Sequence, residues 1–180
     1  MVRTGSRKTA CDQQLHQIIS GGQTGVDRAA LDAAAELGMV TGGWCPRGRR
    51  AEDGRIPKHY PLVETGARSY AVRTEWNVRD SDGTLIIVLD EISSGTQLTL
   101  NVARRLQKPV NVVHLRPSRA PGLFANGNSL NEQLDSVAAW LCKHRIQILN
   151  IAGPRGSSHP DVYSDAHRFI TMLLNRAGKA

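Results

Sequence analysis

A glycine-rich segment near the amino end of the chain has residue types and spacing that suit anion binding. It reads Ser20-Gly21-Gly22-Gln23-Thr24-Gly25 and lies between an apolar stretch ending at Ile19 and an Ala-rich stretch beginning at Val26. Glycines let the backbone turn sharply and let a ligand approach closely. A helix that begins there adds unpaired N–H groups and the positive end of its dipole, which bind phosphate without a lysine. We therefore predict that Gly21, Gly22, Gln23, Thr24 and Gly25 bind a phosphate group.

The alternative interpretation is a tight turn in which Thr24 caps the following helix and Asp27 completes a capping-box-like pair. Three glycines within five residues exceed what a cap requires, which favours the binding site. The segment has neither the GK[ST] of a Walker A loop nor the GxGxxG spacing. Trp44-Cys45 stand where a dinucleotide-binding protein carries its ribose-binding acid, so an ordinary NAD site is disfavoured.

A second segment, residues 42–54, is rich in arginine. Arg47, Arg49 and Arg50 can each form forked hydrogen bonds to phosphate or another oxyanion. Trp44 has the flat apolar surface that would cover a heterocycle. The alternative is a solvated basic loop with a core tryptophan. A lone cysteine such as Cys45 is usually inert, so we expect no metal there.

Two further segments complete the predicted pocket. Asp82-Gly83 precedes an apolar strand and also suits a plain turn, while Arg73, upstream, would meet the ligand if its helix packs beside the first loop. Gly95-Thr96 opens a helix and provides a second helix N-terminus for an anionic group, with simple capping as the alternative. This loop and the glycine-rich loop, on adjacent strands, would form a pocket for a ligand with phosphate at one end.

Apolar stretches with strand character alternate with helix-like stretches along the chain. The predicted strands are 15–20, 40–44, 60–63, 84–89, 110–115 and 146–151, and the predicted helices are 26–37, 73–80, 96–107, 129–144 and 161–176. This alternation predicts an α/β fold with a mostly parallel sheet between two layers of helices. Ligands of such folds bind beyond the carboxyl ends of the strands. We predict one domain over 14–178, preceded by a flexible basic tail, 1–13.

Charge is concentrated in this 180-residue chain, whose formal net charge is +7. The first ten residues contain three basic residues and no acid, and residues 44–58 contain five basic residues against two acids. Focused positive charge suits a small anionic ligand. Nucleic acid is a less favoured partner, because aromatic residues make up only 4% and no reader motif is present.

The cysteine spacing and the hydropathy of the sequence predict the cellular compartment of the protein. Cys11, Cys45 and Cys142 form neither a CxxC pair nor a metal-ligand spacing, which is typical of reduced intracellular thiols. No secretory signal and no apolar run of membrane-spanning length is present. We expect a cytoplasmic protein without a membrane partner.

No catalytic signature is evident. The sequence contains no Ser/His/Asp order of a hydrolase, no HExxH and no carboxylate pair whose spacing suggests acid–base chemistry. Arg155 and His159 lie in a late loop at the expected binding edge, and we interpret that loop as a connection. We therefore predict no catalytic residue and no metal ligand, and favour a binding protein over an enzyme.

Several segments together resemble the molybdenum cofactor carrier proteins, over most of residues 18–175. The segments are 20–31, 42–46, 49–54, 73–75, 80–86 and 152–155. The resemblance implies a Rossmann-like three-layer fold, a homo-oligomer (a tetramer or dimer), and binding of the molybdenum cofactor, a pterin with a terminal phosphate. It also implies storage or protection of that cofactor rather than turnover, with a molybdoenzyme as the recipient.

The wider superfamily includes phosphoribohydrolases once named lysine decarboxylases. Their PGGxGTxxE motif falls near Gly95-Thr96 here, and Thr99 stands at the position of the glutamate. The resemblance therefore implies that the hydrolase acid is missing, which favours binding. A nucleotide-processing enzyme of that kind and a nucleotide-binding sensor are the alternatives.

Overall fold

The computed structural model describes residues 14–89, 93–115 and 130–177; the predicted basic tail, 1–13, lies outside them. The elements in chain order are β1 (Gln17–Ile19), α1 (Val26–Glu36), β2 (Val40–Gly42), β3 (Trp44–Cys45), β4 (Arg50–Ala51), β5 (Gly54–Arg55), β6 (Val63–Glu64), α2 (Tyr70–Arg79), β7 (Gly83–Val88), α3 (Ser94–Arg105), β8 (Val110–His114), α4 (Leu130–Lys143), β9 (Ile148–Ala152), a 3-10 turn (Gly156–Ser158) and α5 (Val162–Ala177). None of the helices in the described residues is both long and apolar enough to cross a membrane.

Five parallel strands form the central sheet in the order β2-β1-β9-β7-β8. The predicted α/β fold with a parallel sheet flanked by helices is confirmed. The last strand along the chain, β9, lies between β1 and β7, with Ile18 opposite Leu149 and Ile86 opposite Ala152. As a result, the loop after β9 separates the loop after β1 from the loop after β7.

Helices cover both faces of the sheet. On one face α1 packs against α5 and α5 against α4, and on the other α2 packs against α3. All six residues of β7 are buried, and their side chains alternate between the two faces as strand geometry requires. Leu85 and Ile87 join the large core with α1, α4 and α5, whereas Ile86 and Val88 pack on Leu100 of α3.

The predicted second strand, 40–44, is divided at Gly43. Gly43 has a φ of 125°, and a Cβ there would lie 2.2 Å from the carbonyl oxygen of Ser20. The chain therefore leaves the main sheet at Gly43, and the next residues form β3, which pairs with β6.

The long loop predicted over 45–59 contains a small hairpin. Strands β4 and β5 pair antiparallel, with Arg50 opposite Arg55 and Ala51 opposite Gly54. A two-residue turn, Glu52-Asp53, forms the tip of this hairpin.

Candidate anion-binding site

The glycine-rich loop connects β1 to α1 at the carboxyl edge of the sheet. Gly22 and Gly25 have φ values of 74° and 77°, in the left-handed region that favours glycine. A Cβ at Gly25 would lie 2.5 Å from the carbonyl oxygen of Pro154, and the Val26 N–H donates to that same oxygen at 3.1 Å. The loop after β9 is therefore packed directly onto the glycine-rich loop.

Arg73 of α2 lies across the glycine-rich loop. A Cβ built at Gly21 would lie only 1.8 Å from Nη1 of Arg73, so this position has room for the guanidinium only because it is glycine. Nη1 pairs with Oδ2 of Asp27 at 3.2 Å, and the two side chains are 14% and 3% exposed. Nε of Arg73 is buried and has no acceptor among the described residues. The sequence analysis expected Arg73 to meet the ligand if its helix packs beside the glycine-rich loop, and α2 does pack there.

Backbone donors are also unused in this loop. Among the described residues, the N–H groups of Gly21, Gly22 and Gly25 donate to no backbone acceptor. A buried N–H without a partner costs free energy, so such groups are usually satisfied by water or a ligand. Arg73 lies beside Gly21, and a guanidinium next to unpaired N–H groups at the start of a helix suits an oxyanion.

Asp27 is a buried acid that sequence reasoning treated only as a capping residue. It is the second residue of α1, and its carboxylate accepts the Gln23 N–H at 3.2 Å. Burial raises the pKa of Asp27, while the Arg73 guanidinium and the Gln23 hydrogen bond oppose that rise. Its burial could have been predicted from the sequence, because Asp27 lies three and four residues before the buried Ala30 and Leu31 and so shares their face of the helix.

Gln23 and Thr24 link the glycine-rich loop to its neighbours. Oε1 of Gln23 accepts the N–H of Thr24 at 3.1 Å and the N–H of Glu52 at 2.9 Å. The Thr24 hydroxyl accepts the Gly156 N–H at 3.0 Å and donates to the Glu52 carboxylate. Gln23 and Thr24 therefore lie where three loops meet, and their part in ligand binding stays a prediction.

Glu52, at the tip of the β4–β5 hairpin, is the second acid at the site. Its carboxylate accepts the Ser157 N–H at 3.0 Å and the Ser157 hydroxyl, and Nε of Arg155 lies 3.4 Å from it. Partial burial opposes a low pKa, but hydrogen bonds from Ser157 and Thr24 and the charge of Arg155 hold the pKa of Glu52 below its ordinary value. The late loop, interpreted from sequence as a connection, thus contributes directly to this edge.

The predicted arginines of the basic loop have different roles. Arg49 is 8% exposed, and its guanidinium donates to four backbone carbonyls, those of Ile56, Pro57, Tyr60 and Leu62, at 2.8–3.0 Å. We therefore correct the assignment of Arg49 to the ligand, because its donors hold the loop together. Arg47 and Arg50 are exposed on the same loop.

The Trp44 side chain contacts the carboxyl end of α2. Its indole N–H donates to Oδ2 of Asp80 at 2.7 Å, and its ring meets Trp76 edge-on at 4.7 Å. Asp80 follows Arg73 by seven residues at the other end of α2, about 10 Å along the helix axis. This position does not support the prediction that Trp44 shields a heterocycle held by the loop.

Asp82 and Gly83 lie at the amino end of β7, two strands away from β1. Gly83 lies opposite Leu149 of β9, which lies opposite Ile18 of β1, and a Cβ at Gly83 would lie 2.7 Å from the Ile146 side chain. Oδ2 of Asp82 accepts the N–H groups of Gln147 and Ile148 at 2.9 and 2.8 Å. Their assignment to the binding site is corrected accordingly.

Gly95 and Thr96 lie in the first turn of α3, at the same edge as the glycine-rich loop. The Ser93 hydroxyl accepts the Thr96 N–H at 3.3 Å and bonds to the Thr96 hydroxyl at 2.9 Å, so the helix has its own cap. The expectation that the two loops follow adjacent strands is wrong, because β9 lies between β1 and β7. In residues 14–89, 93–115 and 130–177, no group of three His, Cys, Asp or Glu is placed to hold a metal ion.

Comparisons with known proteins identify the family of the chain. Residues 18–174 match the model of the circularly permutated YpsA SLOG family. A crystal structure from Syntrophus aciditrophicus SB, named "Putative molybdenum carrier protein", is 41% identical with a TM-score of 0.78, covering 93% of this chain and 97% of that one. The sequence has no significant match among curated proteins. The family resemblance inferred from the sequence is confirmed.

Proposed function

Because the chain belongs to the circularly permutated YpsA SLOG family, we propose that it binds a phosphate-bearing pterin, the molybdenum cofactor, as a cytoplasmic carrier without turning it over. The name of the 41% identical structure supports the cargo. The observation that carries the proposal is the Arg73 guanidinium on Gly21, with its buried Nε unpaired. A homo-oligomer and a molybdoenzyme recipient, implied by the resemblance, stay predictions.

The residues present fit a phosphate group. A Cβ at Gly21 would fill the space that Arg73 uses, and Arg73 and the backbone N–H groups of the loop are donors without a full set of acceptors. Charge-assisted hydrogen bonds of this kind are about twice as strong as neutral ones. Asp27 pairs with Nη1 of Arg73, and the buried Nε is left without an acceptor among the described residues.

Native mass spectrometry tests this proposal. Wild-type protein produced in molybdenum-replete cells and purified without oxygen should retain a mass equal to the molybdenum cofactor. Arg73→Ala should lose that mass, and the control Asp82→Asn, at the amino end of β7, should keep it. Wild-type protein that carries no added mass and gains none on exposure to cofactor would contradict the proposal.

A second candidate, hydrolysis of the N-glycosidic bond of nucleoside monophosphates, is favoured by Asp27. Sequence reasoning found no acid at Thr99, but the structure places the Asp27 carboxyl beside the glycine-rich loop, where burial raises its pKa. In this hydrolysis water adds to C1′ of the ribose as the N-glycosidic bond breaks, and the Asp27 carboxyl would pass the proton lost by the water to the departing base. Release of free base by wild type but not by Asp27→Asn would establish this activity, and no release from any of the common monophosphates would exclude it.

A further inference from the structure

Hydrogen-bond donors from two loops converge on the Glu52 carboxylate. The β1–α1 loop contributes the Thr24 hydroxyl, and the loop after β9 contributes the N–H and the hydroxyl of Ser157. The Arg155 guanidinium lies 3.4 Å away. Glu52 itself comes from neither loop, because it occupies the hairpin tip.

The orientation of these donors makes the position selective for an anion. The Thr24 hydroxyl has one proton, and its oxygen already accepts the Gly156 N–H at 3.0 Å. That proton is therefore committed to Glu52. A carboxylate and a phosphate monoester present the same kind of acceptor oxygens to such donors.

The hairpin is held by different kinds of contact at its base and at its tip. Arg49, which is 8% exposed, fixes the base through four backbone carbonyls. At the tip, besides the contacts of the Glu52 carboxylate, the Glu52 N–H donates to Gln23 at 2.9 Å, and Arg28 donates to the half-exposed Asp53 carboxylate at 2.6 and 2.8 Å. Because the tip contacts are polar and exposed, an anion and water can replace them while the buried base stays in place.

We propose that the Thr24–Ser157 donor set is a phosphate subsite, that Glu52 occupies it in the free protein, and that the phosphate end of the ligand displaces Glu52. This inference rests on the proposed function and places the phosphate at the Thr24 end of the glycine-rich loop, which leaves Arg73, at the Gly21 end, to another anionic oxygen of the ligand. Glu52 then acts as an internal competitor. The apparent affinity for phosphate is then the intrinsic affinity multiplied by the fraction of molecules in which Glu52 has left the donors.

Calorimetric titration with inorganic phosphate tests this subsite. Glu52→Ala should bind phosphate at least about tenfold more tightly than wild type, because the competing carboxylate is gone. Glu52→Gln should fall between them, since its neutral amide still accepts the same hydrogen bonds more weakly. Ser157→Ala should remove most of the gain in the Glu52→Ala background.

Asp53→Asn is the matched control, because it loosens the same hairpin tip through Arg28 and leaves the Glu52 carboxylate in place. Its phosphate affinity should rise far less than that of Glu52→Ala, because the Glu52 carboxylate still competes for the donors. An equal gain in Asp53→Asn, or no gain in either Glu52 variant, would overturn the subsite. Glu52→Gln keeps the test decisive if Glu52→Ala does not fold.

Parallel titrations with the molybdenum cofactor separate this inference from the proposed function. Cofactor binding by wild type without any Glu52 effect on phosphate would overturn the subsite and leave the carrier function standing. A Glu52 effect on phosphate without cofactor binding would support the subsite and refute the cargo.

Discussion

Replacing Gly21 by Ala should displace Arg73 from the glycine-rich loop. The added Cβ would lie 1.8 Å from Nη1 and 2.3 Å from Cζ of Arg73, far inside contact distance. The backbone at Gly21 is not in the left-handed region, so alanine is acceptable there in itself. Because the obstructing atoms end a flexible side chain, the guanidinium moves and the loop stays.

The effect of Gly21→Ala on the free energy of unfolding follows from the loss of the ion pair between Arg73 and Asp27. The Arg73 and Asp27 side chains are 14% and 3% exposed, and breaking a buried pair by removing one partner typically costs about 3–5 kcal/mol. Asp27 keeps its hydrogen bond from Gln23, and its raised pKa lets it take up a proton, which reduces the cost. We expect Gly21→Ala to lower the free energy of unfolding by about 2 kcal/mol, or Tm by about 4–8 °C.

A double-mutant cycle in urea measures this effect. Arg73→Ala vacates the space, so Gly21→Ala should cost less than about 0.5 kcal/mol in that background. Gly66→Ala is the control, because Gly66 has no left-handed φ and no atom within 4 Å of an added Cβ. Strictly additive costs of the Gly21 and Arg73 substitutions would refute the reasoning, since the methyl would then obstruct something other than the guanidinium.

Three further predictions concern the residues around the site. Arg49→Lys should lower the free energy of unfolding by about 2–3 kcal/mol, because lysine cannot reach four carbonyls at once, and an unchanged urea midpoint would contradict this. Asp82→Ala should cost about 1–2 kcal/mol by leaving two backbone N–H groups unpaired, yet leave the cofactor-induced rise in Tm unchanged. The pKa values of Glu52 and Asp53 are held below their ordinary 4.5 and 3.8, so the unfolded chain binds more protons and their stabilisation is lost as pH falls through the lowered values. As pH falls from neutral to acid, Tm should therefore decrease less in Glu52→Gln than in wild type. Parallel plots of Tm against pH for the two proteins would count against the hairpin contacts.

The fold was predictable where the signal is local. The uninterrupted apolar run of β7 and the alanine-rich α1 show their types in sequence, and both elements lie within one residue of the predicted bounds. The order of the strands was not predictable, because the insertion of β9 between β1 and β7 depends on contacts between distant segments. The break at Gly43 likewise depends on its packing against Ser20.

The site was predictable only in part, because residue type does not identify a partner. The glycines of the first loop have a local signature, and Arg73 was identified on condition of its packing. Arg49 has the chemistry of an anion ligand, but its donors are used by carbonyls 7 to 13 residues away in the same loop. Glu52 was missed because its partners lie 28 and 105 residues away.

Anaerobic calorimetric titration with the molybdenum cofactor measures whether the glycine-rich loop and Arg73 bind a phosphate-bearing ligand. Wild type should bind in a saturable manner, and Arg73→Ala should bind at least about tenfold more weakly, since a hydrogen bond to a charged group contributes about 1.5–3 kcal/mol. Equal affinity of wild type and Arg73→Ala, or no binding by wild type, would contradict the site.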